Sequence, residues 1–298
     1  MESRWLIEFF TPCALRYALC YYTEATMTLK NRSIAFIGGG HITEILVSNL
    51  TRTDKIDPHR LIVSDPVQEK GQHLKKAYGI SVAEDNREAV LTGDFIFINV
   101  LPHVVGKVVE ELKRSGFPDN KVIITVAAGI PMKTYDPLGS RLPVVRALPN
   151  PPSQVGMGIA ALAFNAHISE DNRQEIFELF ACLGEYVVVG EEQVNTVMAL
   201  SSPTITYMLF QSLTDAGVRA GIDRDTATKI VYQTIAGSMA VWKTRQVPPH
   251  ELINEASTPG GISIESLYTL ETYAFKAGIM EAVESAINRA VELSQSVK

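Results

Sequence analysis

Two stretches of the chain combine residue types and spacings that suit anion binding. Gly38-Gly39-Gly40 closes the apolar run Ile34 to Ile37 and precedes a helix-compatible segment that opens with His41 and Ile42. Residues without a Cβ let a ligand approach the main chain closely, and the free N–H groups of a helix start attract negative charge. Asp65 ends the next apolar run, where a carboxylate accepts hydrogen bonds from a ribose 2′,3′-diol. Strand, glycine turn, helix and acidic strand end make the topology of a dinucleotide site; a plain tight turn is the competing reading. Gly38 and Gly40 match the first two glycines of the G-x-G-x-x-G pattern. Thr43 takes the third place, where its Cβ is expected to push the helix slightly off the strand. Asp65 would repel a 2′-phosphate and so favours NAD(H), although Arg60 and Lys70 are close enough in sequence to leave NADP(H) open.

The second stretch is Ser257-Thr258-Pro259-Gly260-Gly261, followed by a helix from about Ser263. Successive backbone N–H groups at a helix start, with the Thr258 and Ser263 hydroxyls beside them, suit a carboxylate. A simple helix cap is the bland alternative. No set of residues shows metal-ligand spacing. The six histidines are scattered, and His103, just after Pro102, is the one closest to the expected cofactor edge.

The elements around these stretches suggest an α/β architecture. Apolar runs at 33–37, 60–64, 94–100, 121–126 and 143–146, with a weaker one at 158–164, alternate with helix patterns at 42–49, 68–78, 86–91 and 104–113. The runs are continuous rather than alternating, as in strands buried on both faces of a parallel sheet. A Rossmann-type doubly wound parallel sheet is therefore expected over 31–190. Beyond Gly190 the pattern is helical, with helices expected at 194–220, 226–244, 264–277 and 279–296, and with Asp223 or Asp225 as a cap. The first of these is apolar nearly all round and must be enclosed. About 108 residues, 191–298, hardly bury that much surface alone, so an all-α dimerisation domain packed on a second copy is expected.

Composition narrows the partners. The 298 residues, 46% hydrophobic and 20% charged, suit a globular protein of two domains. A net charge of -6 argues against nucleic acid and against an anionic membrane surface. Cys13, Cys20 and Cys182 form no framework of bridges, which fits a reducing compartment such as the cytoplasm; Cys182, in an apolar helical stretch, reads as a buried structural thiol. Residues 1–30 differ from the rest. Glu8, Pro12 and Arg16 interrupt their apolar character, so a spanning helix of about 20 residues is not expected. They read as a disordered extension or an artefact of start-site choice, with a targeting peptide as the competing idea.

From about residue 33 to 298 the chain resembles the pyrroline-5-carboxylate reductases. The resemblance is carried, in order, by FIGGG, NVLPH at 99–103, ITVAAGI at 124–130, VVRALPNPP at 144–152, LTDAGVRAGI at 213–222 and STPGGISIESLYTLE at 257–271. It implies reduction of a cyclic imine to L-proline with NADPH or NADH, in a homo-oligomer of at least two chains, with the active site where the domains meet across the dimer. Gly38, Gly39, Gly40, His41, Ile42, Asp65, Asn86, Val100, Leu101, Pro102, Ala127, Ala128, Gly129 and Asn150 are then assigned to the cofactor. Ser201, Ser202, Thr258, Pro259, Gly260, Gly261 and Ser263 are assigned to the substrate, with Thr258 and Ser263 in catalytic roles. The resemblance implies that the Ser263 hydroxyl stands where the family has a Thr thought to touch the ring nitrogen. Imine reduction asks little of the protein beyond orientation and electrostatics, because the cofactor supplies the chemistry.

Three departures bear on substrate identity. Thr43 replaces a glycine, and Leu101 replaces the family's usual Lys. Leu200-Ser201-Ser202-Pro203-Thr204 is a shortened loop without glycine. A paralogous reductase of another cyclic imine, and a non-catalytic NAD(P)-binding protein, are the alternative functions.

Overall fold

The computed structural model describes residues 29–296, so the expected extension lies, but for its last residues, outside the described residues. Each apolar run forms a strand because its side chains are buried on both faces. In chain order the main elements are β1 (Ile34–Ile37), α1 (His41–Arg52), β2 (Leu61–Ser64), α2 (Gln68–Tyr78), β3 (Ser81–Val82), α3 (Asn86–Thr92), β4 (Phe95–Ile98), α4 (Pro102–Ser115), β5 (Val122–Thr125), β6 (Val144–Pro149), β7 (Gly158–Phe164), α5 (Glu170–Ala181) and β8 (Gly184–Val188). Helices α6 (Val194–Leu200), α7 (Thr204–Arg219), α8 (Arg224–Arg245), α9 (Pro249–Ala256), α10 (Ile262–Thr272) and α11 (Phe275–Ser296) complete the chain.

The strands form one sheet in the order β3-β2-β1-β4-β5-β6-β7-β8. β1 to β6 run parallel, and β7 runs antiparallel to β6 and parallel to β8. Alternate residues of each central strand feed opposite cores. Ile34, Phe36, Phe95 and Phe97 join the core under α1 and α5, whereas Ala35, Ile37, Ile96 and Ile98 join the core under α3 and α4. The chain leaves β1 for β2 and β3 on one side and returns on the other side as β4. That reversal puts a crevice at the carboxyl ends of β1 and β4, where doubly wound sheets bind ligands.

Several differences from expectation have local causes. β3 and β8 were not expected. β3 is only two residues long, and β8 is an edge strand of mixed burial, so neither shows the continuous apolar run of a central strand. The expected helix 194–220 is two helices, because Pro203 lacks the N–H that an unbroken helix would use there; α6 ends at Leu200 and Pro203 is the N-cap of α7. Helix α9 was not expected as a separate element, although Pro249 at its first turn is a standard helix start. Asp223 caps α8 by accepting from Thr226 N at 3.0 Å. Cys182 is buried, and burial pushes its thiol pKa up, which fits a structural thiol.

Phe97 is fully buried in the middle of the sheet, with its ring centroid 5.2 Å from that of Phe36 and 6.3 Å from that of Phe180. Phe97→Ala is expected to lower unfolding free energy by about 3–5 kcal/mol in urea titrations, because the cavity lies between packed layers. The exposed Val67 provides the control: Val67→Ala should change stability by about 0.5 kcal/mol or less.

Candidate active site

The glycine turn is built by contacts on its protein side. Gly38 adopts φ +104°, and a Cβ there would lie 2.6 Å from the Asn99 carbonyl oxygen at the end of β4. Only glycine fits both demands. Gly39 N donates to Asp65 Oδ2 at 2.7 Å. Gly40 is the N-cap of α1, and a Cβ on it would meet no protein atom within 4 Å. No packed atom demands a glycine there, and the space in front of the helix start is open. A diphosphate on the helix start fits that room, so these residues suit the dinucleotide. His41 and Ile42 follow in the first turn, His41 exposed and Ile42 against the core.

Thr43 does not act as expected. It is fully buried, its hydroxyl donates to the Gly38 carbonyl, and it accepts from Asn99 Nδ2 at 3.0 Å. A third glycine would have allowed close helix packing; here a hydroxyl ties the helix, the glycine turn and the end of β4 together instead. Asn99 Oδ1 is buried without a hydrogen-bond partner. The hydrogen bond between these two side chains escaped sequence reasoning, although two polar residues flanking apolar runs at the same sheet edge were a signal.

The other expected cofactor residues gather along the same sheet edge. Val100 and Leu101 follow β4, Leu101 being 65% exposed as the N-cap of α4, and Pro102 begins that helix. Ala127, Ala128 and Gly129 follow β5, with Gly129 at φ +75°. Two of the expected cofactor residues also make hydrogen bonds within the fold. Asn86 accepts from Ser64 Oγ at 2.8 Å and donates to Glu111 Oε1 at 3.0 Å. Asn150, after β6, donates to the Ser201 carbonyl at 2.9 Å and accepts from Ile159 N at 2.8 Å. Asn150 thus ties the sheet edge to the turn between α6 and α7. In that turn the Ser202 hydroxyl donates to Thr204 Oγ1 at 3.2 Å.

A second tether was not foreseen. Arg146, 3% exposed on β6, donates through Nη2 to Asn195 Oδ1 on α6 at 2.6 Å, and burial draws its pKa down while Glu191 pulls it up. Glu191 accepts in turn from Met132 N at 2.5 Å. A lone Arg inside the apolar run VVRALP was the available signal.

The second cradle has the expected backbone. Gly260 takes φ +68°, Gly261 N donates to the Thr258 carbonyl at 2.9 Å, and Gly261 is the N-cap of α10 with no side chain capping it. Free N–H groups therefore point outward at Ile262 and Ser263. Thr258, Pro259 and Ser263 are exposed. A groove of about 740 Å³ lies alongside, lined by Leu213, Gly260, Gly261 and residues of α10, with none from the sheet. Within one chain, then, the structure assembles the cofactor edge and the second cradle separately.

Comparison with known proteins gives these features a family. Residues 191–293 match a model described as pyrroline-5-carboxylate reductase dimerisation, and residues 33–129 match one described as NADP oxidoreductase, coenzyme F420-dependent. The pyrroline-5-carboxylate reductase of Escherichia coli is 29% identical across 89% of this chain and 99% of its own. The solved pyrroline carboxylate reductase of Plasmodium falciparum, with NADP bound, superposes with a TM-score of 0.81 at 26% identity, covering 89% of this chain and 99% of that one. The enzyme of that name from Corynebacterium melassecola is 30% identical across 88% of this chain and 99% of its own. Full-length similarity at that level, joined to the two cradles, makes this chain a member of the pyrroline-5-carboxylate reductase family.

Proposed function

We propose that the chain is an NAD(P)H-dependent reductase that converts 1-pyrroline-5-carboxylate to L-proline, acting in the cytoplasm as a homo-oligomer of at least two chains. The observation that carries the reading is Gly40: a helix-capping glycine whose missing Cβ no protein atom requires, on a chain that also holds a second glycine cradle. Gly38, Gly39, Gly40 and the start of α1 would hold the diphosphate, and Asp65 the adenosine ribose. Val100 to Pro102 and Ala127 to Gly129 would flank the nicotinamide. The reduced nicotinamide, when bound, supplies the electron pair that saturates the C=N carbon.

The remaining work falls to this chain's own groups. The free N–H groups of Ile262 and Ser263, with the Thr258 hydroxyl, would hold the substrate carboxylate at the positive end of α10. That fixes the ring and leaves the Ser263 hydroxyl to hydrogen-bond the ring nitrogen. Asn150 would orient rather than touch, by fixing Ser201 and with it Ser202. The separation of the two cradles within one chain supports completion of the site by a second copy. So do the exposed apolar side chains of α7, α8 and α10, among them Met208, Trp242 and Tyr268. For the cytoplasm, the support is the buried thiol of Cys182 and a chain in which, among the described residues, no helix is long and apolar enough to cross a membrane.

A second reading, reduction of a different cyclic imine, draws on the turn at Ser201-Ser202-Pro203, where Cβ atoms and a fixed proline φ stand beside the α6–α7 break.

Purified protein should oxidise NADH or NADPH in the presence of pyrroline-5-carboxylate. Cofactor binding without turnover of that imine would sink the reading, and a clear preference for a six-membered cyclic imine would favour the second one. Gly40→Val should weaken cofactor binding about a hundred-fold or more with the fold intact, because the added side chain fills only the diphosphate's space. Ser263→Ala should lower kcat about a hundred-fold while cofactor affinity stays unchanged. Analytical ultracentrifugation should find at least two chains per particle; a stable monomer with full activity would refute assembly of the site between copies.

A further inference from the structure

We propose that this chain prefers NADH to NADPH because a fixed Asp65 carboxylate, in a groove whose one lysine already faces it, occupies the position a 2′-phosphate would need. The proposal rests on the dinucleotide reading of the Gly38–Gly40 turn and sharpens it to one cofactor.

Asp65 is not a loosely hydrated turn residue. It follows β2 at the carboxyl edge of the sheet, and its side chain is only 6% exposed. Oδ2 accepts from Gly39 N at 2.7 Å, and Oδ1 accepts from Val67 N at 2.8 Å. Two backbone donors therefore hold the carboxylate in one orientation. Each carboxylate oxygen has two acceptor sites, so one remains on each for a pair of ribose hydroxyls. The same arrangement is hostile to a phosphomonoester, which brings roughly 1.5 to 2 negative charges to the 2′ position. A carboxylate anchored to the glycine turn itself cannot swing away without breaking the Gly39 contact.

A phosphate could still bind if spare cations surrounded it, and most of the basic groups near the turn already have partners. Lys70 lies with Nζ 3.6 Å from Asp65 Oδ2, so it partly neutralises the carboxylate already there. Arg60 donates to the Asn31 carbonyl at 3.0 Å and precedes β2, at the opposite end of the strand from Asp65. His73 faces Glu44 Oε1 at 2.9 Å. The groove of about 350 Å³ beside the turn is lined by Gly39, Gly40, His41, Glu44, Glu69, Lys70 and His73. Two glutamates thus stand against one lysine and two histidines, one of them already facing Glu44, with the Asp65 charge next to them. A ribose diol needs acceptors and meets them; a phosphate needs unpaired positive charge and meets a surplus of negative charge. Discrimination follows from like-charge repulsion in a partly buried site, where screening is weak.

The test is equilibrium binding, read from the fluorescence of the reduced nicotinamide, with NADH and NADPH titrated separately into the full chain at fixed salt. Wild type should bind NADH about ten-fold or more tightly than NADPH. Asp65→Asn keeps one acceptor oxygen and the side-chain shape but removes the charge; it should tighten NADPH and shrink the ratio to about three-fold or less. Asp65→Ser should do the same with a larger loss of NADH affinity, and circular dichroism will report that each variant is folded. Equal or tighter binding of NADPH by wild type, or a ratio that Asp65→Asn leaves unmoved, would overturn the proposal while leaving imine reduction in place. Binding of neither dinucleotide would overturn both.

Discussion

The hydrogen bond from Gly39 N to Asp65, together with the Thr43 hydroxyl on the Gly38 carbonyl, fixes the glycine turn from beneath. A backbone cradle binds tightly only if its N–H groups are already aimed, since ordering a loop on binding would offset much of the gain. Here three elements supply that order. β1 delivers the turn, β2 contributes Asp65, and β4 contributes Asn99, whose carbonyl crowds Gly38 and whose amide reaches Thr43. The strand order β2-β1-β4 is what makes them neighbours. The sheet topology thus sets the shape of the glycine turn through a few side chains at its carboxyl edge.

A second constraint joins the sheet to the helices. Arg146 is buried, and its guanidinium loses hydration that only good partners offset. Its bond to Asn195 holds α6 against β6, and Asn150 takes hold of the far end of the same helix at Ser201. Two polar side chains, one on β6 and one just after it, therefore clamp both ends of the short helix that leads into the α6–α7 turn. Apolar packing of Val194 on Leu148 and Ala161 fills the space between them. Packing alone tolerates sliding; directional hydrogen bonds at both ends do not.

Much of this was legible in the chain itself, and the reasons for the rest are physical. Central strands showed themselves because burial on both faces demands unbroken apolar runs such as Phe95 to Ile98. The edge strand β8 did not, because half of it faces solvent. Gly38 to Gly40 and Asp65 were readable because their chemistry is local in sequence. Thr43 was misjudged: its Cβ was visible as bulk, but its hydroxyl partner, Asn99, is 56 positions away. Asn150 shows the same limit. Its position at a strand end suggested a ligand contact, but gave no sign of its bonds to the Ser201 carbonyl and Ile159 N. Side chains whose partners lie on other elements cannot be assigned from spacing, however clear the motif around them.

The helical part extends this reasoning to the assembly. Its helices carry Tyr207, Met208, Leu213, Ile230, Met239 and Tyr268 on surfaces that one chain leaves uncovered, while the cradle at Gly260 sits in an open groove. Both facts have one physical remedy. Covering the apolar faces removes a large area from water, and the same contact can wall the groove and bring it to the cofactor edge. Burial then stabilises the partnership and excludes water from the place where a protonated imine must be held. Association and catalysis would share one surface, so a substitution that weakens packing between copies would lower activity even where it touches neither cofactor nor substrate.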